Sequence, residues 1–120
     1  MINVKGLTKQ YKGVTVVDIP ELVIGKGESF GLVGNNGAGK TTFFRMILDL
    51  VRASSGEVLS KGVNVSQTED WKYYTGSFLD ESFLIDYLTP DEYFEFVASL
   101  HDYSQGDLKE FLSQFEALFN

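Results

Sequence analysis

The chain has 120 residues, a formal net charge of −7, 43% hydrophobic residues, no cysteine and one histidine. This composition is typical of a soluble globular domain with a modest core, and it excludes a disulfide framework, a thiolate metal site and a multi-histidine metal centre. Because no apolar run is long enough to span a membrane and the N-terminus lacks a signal-peptide region, we expect a soluble, cytoplasmic chain.

The charge is unevenly divided. Residues 1–65 carry a net charge of +3 and residues 66–120 a net charge of −10. The basic half suits a polyanionic ligand, whereas the acidic half argues against nucleic acid as a partner. A solvated acidic face is the simpler interpretation of the second half.

The chain opens with a small β-rich layer. Alternating apolar residues predict a strand over Ile2–Tyr11, which a turn follows. β-Branched residues predict strands over residues 14–17 and 22–24, on either side of Pro20. Residues 25–28 predict a tight turn that leads into the next segment.

That next segment carries the most specific pattern in the sequence. Gly34-Asn35-Asn36-Gly37-Ala38-Gly39-Lys40-Thr41-Thr42 fits G-x-x-x-x-G-K-[ST], the Walker A or P-loop pattern. A buried strand over Ser29–Val33 and a helix over Thr42–Leu50 are predicted on its two sides, which is the context that the pattern requires. Backbone N–H groups of such a loop converge on phosphate oxygens, and the helix dipole adds to the attraction. We expect Lys40 to reach the β- and γ-phosphates and the Thr41 hydroxyl to hold Mg²⁺.

The rest of the chain reads as short strands followed by two helices. Predicted in order are a turn at residues 53–56, strands over 57–59, 63–65 and 73–79, and a loop over 80–89. Thr89-Pro90-Asp91-Glu92 then predicts a helix start with a T-x-x-E capping box. A second helix is predicted from Asp107, with an apolar stripe formed by Leu108, Phe111, Leu112, Phe115, Leu118 and Phe119.

With these motifs the chain resembles the nucleotide-binding domain of ABC transporter ATPases. The resemblance includes Gly-Leu-Thr-Lys-Gln-Tyr before the loop, Gly27 to Val33, the loop itself, Ser55-Gly56-Glu57-Val58 and Leu88-Thr89-Pro90. It implies an α/β fold of the P-loop NTPase class, N-terminal half. Residues 1–79 would form the ATP-binding core, and residues 80–120 a Q-loop-like segment and the start of a helical subdomain.

The resemblance also implies ATP and Mg²⁺ as cofactors, held by the loop residues 34–42. Tyr11 matches the family's aromatic residue that stacks on adenine; a tyrosine packed in a turn is the alternative. Asp80, 40 positions after Lys40, stands where the family has its Q-loop glutamine. A carboxylate can bind Mg²⁺ but cannot donate as an amide does.

Partners follow from the same resemblance: a transmembrane permease subunit and a second ATP-binding subunit that pairs across ATP, on the inner face of the cell membrane. The family's L-S-G-G-Q signature, Walker B aspartate, catalytic glutamate and switch histidine are not found in the sequence. We therefore expect the N-terminal part of a longer domain, with no catalytic residue of its own and no ATPase activity in isolation.

Three other functions stay open. They are a nucleotide-binding or regulatory module that never hydrolyses ATP, an ABC-type soluble ATPase not tied to transport, and another P-loop enzyme such as a small kinase or GTPase. The absence of a guanine-reading N-K-x-D stretch argues against a GTPase.

Overall fold

A computed structural model describes residues 1–119. The side chain of Phe119, part of the predicted apolar stripe, and all of Asn120 lie outside the described residues. The chain divides into two compact units, of which the first ends at Leu79 and the second begins at Asp80. Among the described helices, none has the length and apolar character needed to cross a membrane.

The first unit is built on a four-stranded antiparallel sheet. Its strands are β1 (Ile2–Tyr11), β2 (Val14–Ile24), β3 (Ser55–Ser60) and β4 (Val63–Asn64), in the order β2-β1-β3-β4. β2 runs through Pro20 without a break, because an edge strand can spare the N–H group that proline lacks. A two-residue turn joins β1 to β2 at Lys12 and Gly13, whose φ angles of 49° and 79° suit a tight hairpin.

Two glycines lie where the register between β1 and β3 shifts. Gly6 has a φ of 52°, and the β1–β3 register shifts between Lys5 and Thr8. The shift returns Leu7 to the face that Val4 already occupies, and both side chains are buried. Gly56 crosses this point so closely that a Cβ there would lie 2.2 Å from the Gly6 carbonyl oxygen.

One helix covers the sheet. Helix α1 spans Lys40–Ile47, shorter than the predicted 42–50, and buries Phe43 and Met46. These two side chains join the strand residues in a single core, which consists of Val4, Leu7, Val17, Phe43, Met46, Val58, Val65 and Trp71. Burying side chains of this size stabilises the first unit by about 1.5–3 kcal/mol each.

The buried strand predicted over Ser29–Val33 is not formed. Residues 28–35 belong to none of the described strands, and Val33 is 95% exposed. A strand is stable only when a neighbour satisfies its backbone groups, and no strand in the described part of the chain pairs with this segment. The apolar pattern of this segment predicts a strand, but pairing with a second strand is not a local property.

The prediction of a strand over residues 73–79 is also wrong. A short 3₁₀ helix occupies Asp70–Tyr74, and it buries Trp71. The Trp71 indole N–H donates to the carbonyl oxygen of Val65 at 3.0 Å. This bond holds the 3₁₀ helix against the core, to which both residues belong. Thr75 is extended but lies outside the described strands.

The second unit is helical. After a short 3₁₀ helix at Glu81–Phe83 it contains α2 (Pro90–Leu100), α3 (Gln105–Ser113) and α4 (Glu116–Phe119). The predicted capping box at Thr89 is confirmed. α3 begins earlier than the predicted Asp107, because Ser104 caps it and Asp107 returns the bond in a second capping box.

Both capping boxes depend on a carboxylate. The Thr89 backbone N–H donates to Glu92 at 2.7 Å, which lowers the pKa of Glu92, and the Thr89 side chain adds to the effect. The Ser104 hydroxyl donates to Asp107 at 2.6 Å and, with the Ser104 backbone N–H, lowers the pKa of Asp107. In each case the carboxylate form is favoured by folding.

We therefore expect the helices of the second unit to lose stability in acid. A folded-state pKa below the unfolded value gives a contribution that is present above the unfolded pKa and disappears as the pH falls through the folded pKa. Glu92→Gln should lower the thermal midpoint at neutral pH, and this difference from wild type should vanish in acid when helix content is followed by circular dichroism. Glu95→Gln, in the middle of α2, is the control. A difference that persists unchanged in acid contradicts the prediction.

Candidate functional site

The predicted phosphate-binding loop, residues 34–42, follows the unpaired segment 28–33 and includes the first residues of α1. Gly37 and Gly39 have φ angles of 84° and 94°, a region closed to most side chains. The Ala38 N–H donates to the Asn35 carbonyl at 3.1 Å, which closes a turn within the loop. These contacts give the compact, glycine-dependent course that the sequence pattern predicts.

A β-bulge in β2 supports this loop. Lys9 pairs with Val17 but the next residue, Gln10, pairs with Thr15, so Val16 is the extra residue. A Cβ built on Gly39 would lie 2.3 Å from the Val16 carbonyl oxygen. The bulged backbone of the edge strand therefore touches the residue at which α1 begins.

The N-terminus of α1 is a favourable place for an anion. Gly39 is its N-cap, no side chain caps it, and no acidic residue lies in its first turn. The N–H groups of Lys40, Thr41 and Thr42 have no carbonyl partner inside the helix, because the helix has no preceding turn to supply one. These donors and the positive end of the helix dipole attract phosphate oxygens.

The Lys40 ammonium group lies at the mouth of the loop. It donates to the carbonyl oxygen of Gly34 and, at 2.8 Å, to that of Asn35. A Cβ on Gly34 would lie 3.3 Å from the Ala38 Cβ, so these two loop residues are in close contact. The lysine thus holds a positive charge against the loop backbone that precedes α1.

The same residues fit a magnesium-bound triphosphate. Thr41 is exposed in the first turn of α1, where its hydroxyl is accessible. No group of three or more His, Cys, Asp or Glu side chains in the described residues could hold a metal ion. A cation at this site would therefore depend on the Thr41 hydroxyl and on the phosphates themselves, as Mg²⁺ commonly does.

Tyr11 lies at the end of β1 and is 48% exposed. It pairs with Val14, and Val16 follows two residues later on β2. At about 3.3 Å per residue, this separates Tyr11 from the bulge by roughly 7 Å along the strand. Tyr11 and the bulge that contacts Gly39 therefore lie near the same end of the β1–β2 hairpin.

Asp80 lies in the second unit, at the start of the short 3₁₀ helix. Its carboxylate accepts from the backbone N–H of Ser82 at 2.8 Å and from the Ser82 hydroxyl. It thus caps a local turn in this structure. Its role as a magnesium ligand stays a prediction.

Sequence reasoning missed Val16. The β-branched run over residues 14–17 indicates a strand, but nothing in the pattern indicates that one member of the run is unpaired. The glycine at position 39 is compatible with a close backbone neighbour, but the sequence does not say which residue that neighbour is.

Comparisons with known proteins agree with the loop's pattern. A family model described as "ABC transporter" matches residues 17–119. The chain is 43% identical over 68 residues to the ABC transporter ATP-binding protein YcbN of Bacillus subtilis, and 40% over 67 residues to the putrescine transport ATP-binding protein PotG of Escherichia coli. It is 34% identical over 116 residues to the mouse glucosylceramide transporter ABCA12.

These relatives are much longer than the chain. The alignments cover 57%, 56% and 92% of this chain but only 22%, 18% and 4% of YcbN, PotG and ABCA12. Tyr11 precedes the residues that the family model matches.

The contact between Gly39 and Val16 predicts a steep cost for any side chain at position 39. Gly39→Ala should lower the free energy of unfolding by about 1–3 kcal/mol, because the methyl group meets a carbonyl and the backbone has a positive φ. Urea unfolding measures this change. Gly31→Ala, where a Cβ would meet nothing within 4 Å, is the control. Equal stability of the Gly39 and Gly31 variants contradicts the prediction.

Proposed function

Because the chain belongs to the ABC transporter family, as its motifs predicted, we propose that it binds MgATP through residues 34–42 as part of a transporter's ATP-binding subunit. The uncapped, acid-free N-terminus of α1 carries this proposal. Its N–H groups and the Lys40 ammonium group are the donors that a triphosphate requires.

Each loop residue has a distinct part in this proposal. Gly34, Gly37 and Gly39 allow the close approach of the backbone, and Asn35, Asn36 and Ala38 present the loop amides. Lys40 neutralises the β- and γ-phosphates, and Thr41 and Thr42 contribute the first helical N–H groups. Tyr11 stacks on adenine, since a flat π face beside the base is sufficient for that contact.

Magnesium completes the proposed site. The Thr41 hydroxyl would hold the ion, and Asp80, at the sequence position of the family's Q-loop residue, is the second ligand that we propose for it. When bound, Mg²⁺ neutralises charge that develops on the transferred phosphoryl group. The chain's own task is to bind and orient the triphosphate for that step.

Hydrolysis is proposed for the complete ATP-binding subunit and not for these 120 residues alone. The sequence contains neither L-S-G-G-Q nor an apolar strand that ends in Asp-Glu. Phosphoryl transfer needs a positioned water as well as a phosphate cradle. We therefore expect the chain to bind MgATP without turnover.

The proposed partners are a transmembrane permease and a second ATP-binding subunit, which would hold the chain at the cytoplasmic face of the membrane. Within the second unit, Phe94, Leu108 and Phe111 contribute to an apolar groove of about 230 Å³ between α2 and α3. Phe111 is exposed, and aromatic residues are enriched at interfaces. We propose that this region contacts the permease, and simple core packing is the alternative.

Lys40→Ala tests the phosphate site. Without its cation, the loop should bind MgATP at least about tenfold more weakly, which corresponds to ~1.4 kcal/mol. Calorimetric titration measures the affinity, and a thermal melt verifies that the variant is folded. Lys26→Ala removes an exposed lysine from the preceding turn and should leave binding unchanged. Unaltered MgATP affinity in the Lys40 variant would rule out this site.

Tyr11→Ala tests the base-binding end. Loss of the aromatic face should weaken MgATP by about 1–2 kcal/mol and leave magnesium tripolyphosphate unaffected, because tripolyphosphate has no base. Tyr73→Ala is the control, since Tyr73 is also exposed but lies in the 3₁₀ helix at Asp70–Tyr74. If the Tyr11 variant binds both ligands as wild type does, Tyr11 is not the adenine platform.

A further inference from the structure

Lys9 is in contact with the proposed adenine platform. Its ammonium nitrogen lies over the Tyr11 ring, 4.9 Å from the ring centroid. The two residues are two positions apart on β1, so their side chains project from the same face of the strand. The distance is within the range of a cation–π interaction, about 6 Å.

A second contact fixes the position of this ammonium group. It donates to the carbonyl oxygen of Arg52 at 2.7 Å, a short bond of the charge-assisted kind. The segment that contains Arg52 is itself bonded to β1, since the Ser54 N–H donates to the Thr8 carbonyl at 2.8 Å and the Ser54 hydroxyl accepts from the Gln10 N–H at 2.9 Å. The Lys9 ammonium group is therefore held in place by the backbone at Arg52.

The consequence concerns the two faces of the Tyr11 ring. Lys9 covers one face, and the ring as a whole stays 48% exposed. A planar ligand would therefore have to stack on the opposite face. A ring held in this way loses less freedom when a base stacks on it than a ring that is free to rotate.

We propose that Lys9 is a positioning residue for Tyr11, which fixes the ring so that its open face stacks on the base of the bound nucleotide. This inference rests on the proposed function, because it assigns a role within the same site. It differs from a purely structural role, in which Lys9 only fastens β1 to the segment after α1. A structural role would affect all ligands of the loop equally, whereas a positioning role affects only ligands that carry a base.

The experiment measures the affinity of the full chain for MgATP and for magnesium tripolyphosphate by calorimetry. Lys9→Met keeps a long apolar side chain but removes the charge. It should weaken MgATP roughly two- to fivefold and leave tripolyphosphate unchanged. Lys9→Arg should restore MgATP affinity, because a guanidinium group also stacks on an aromatic ring.

Lys61→Met is the matched control. Lys61 also lies over a tyrosine ring, 3.8 Å from the centroid of Tyr74. Its backbone N–H donates to the Met1 carbonyl, so it stands at the opposite end of β1 from Tyr11. This variant loses an equivalent contact and should bind both ligands as wild type does.

A measurement without ligand separates this inference from the proposed function. In the nuclear magnetic resonance spectrum of the free chain, the Lys9 ε-protons should be shifted upfield by the Tyr11 ring, and Tyr11→Ala should abolish the shift. In the Tyr11→Ala background, Lys9→Met should have no further effect on MgATP.

Two results overturn the proposal alone: unshifted Lys9 protons, or MgATP affinity that depends on Tyr11 but not on Lys9. An equal loss of tripolyphosphate affinity in Lys9→Met would assign Lys9 a structural role. If wild-type chain binds neither ligand, the proposed function fails, and the assignment of Lys9 fails with it.

Discussion

The contact between Gly39 and the bulged residue Val16 is the constraint on which the first unit depends. It leaves no room for a Cβ, and it sets the start of α1 directly against the edge strand. Phe43 and Met46 can then reach the core that the sheet provides. Because the N-cap Gly39 has no side chain to cap the helix, the first N–H groups of α1 remain available to a ligand.

The same arrangement links the site to the hairpin. β2 presents Val16 to the loop, and its partner β1 ends two pairs away at Tyr11. The proposed phosphate and base contacts are therefore spaced by strand geometry and not by the loop. Lys9 donates to the carbonyl oxygen of Arg52 and so links the Tyr11 end of β1 to the segment that follows α1.

Local patterns predicted the local features well. The capping box at Thr89, the glycine-dependent loop and the hairpin strands all depend on neighbouring residues, and the family match supports the α/β P-loop class that they implied. Ser104 was missed because aspartate, instead of the more usual glutamate, completes its box. The strands predicted over residues 29–33 and 73–79 failed because a strand needs a partner, which no local pattern supplies. The bulge at Val16 was not predicted for the same reason, because a bulge is defined by the pairing of two strands.

The most direct test of the account is a titration of the isotope-labelled chain with MgATP, followed residue by residue through its backbone amide resonances. The account predicts that the shifts concentrate on residues 36–42 and on Tyr11, with little change in α2 and α3. A phosphate anion at the helix N-terminus and a base on the tyrosine would both act at short range. Shifts confined to the helices of the second unit, or no shifts at saturating MgATP, would contradict it.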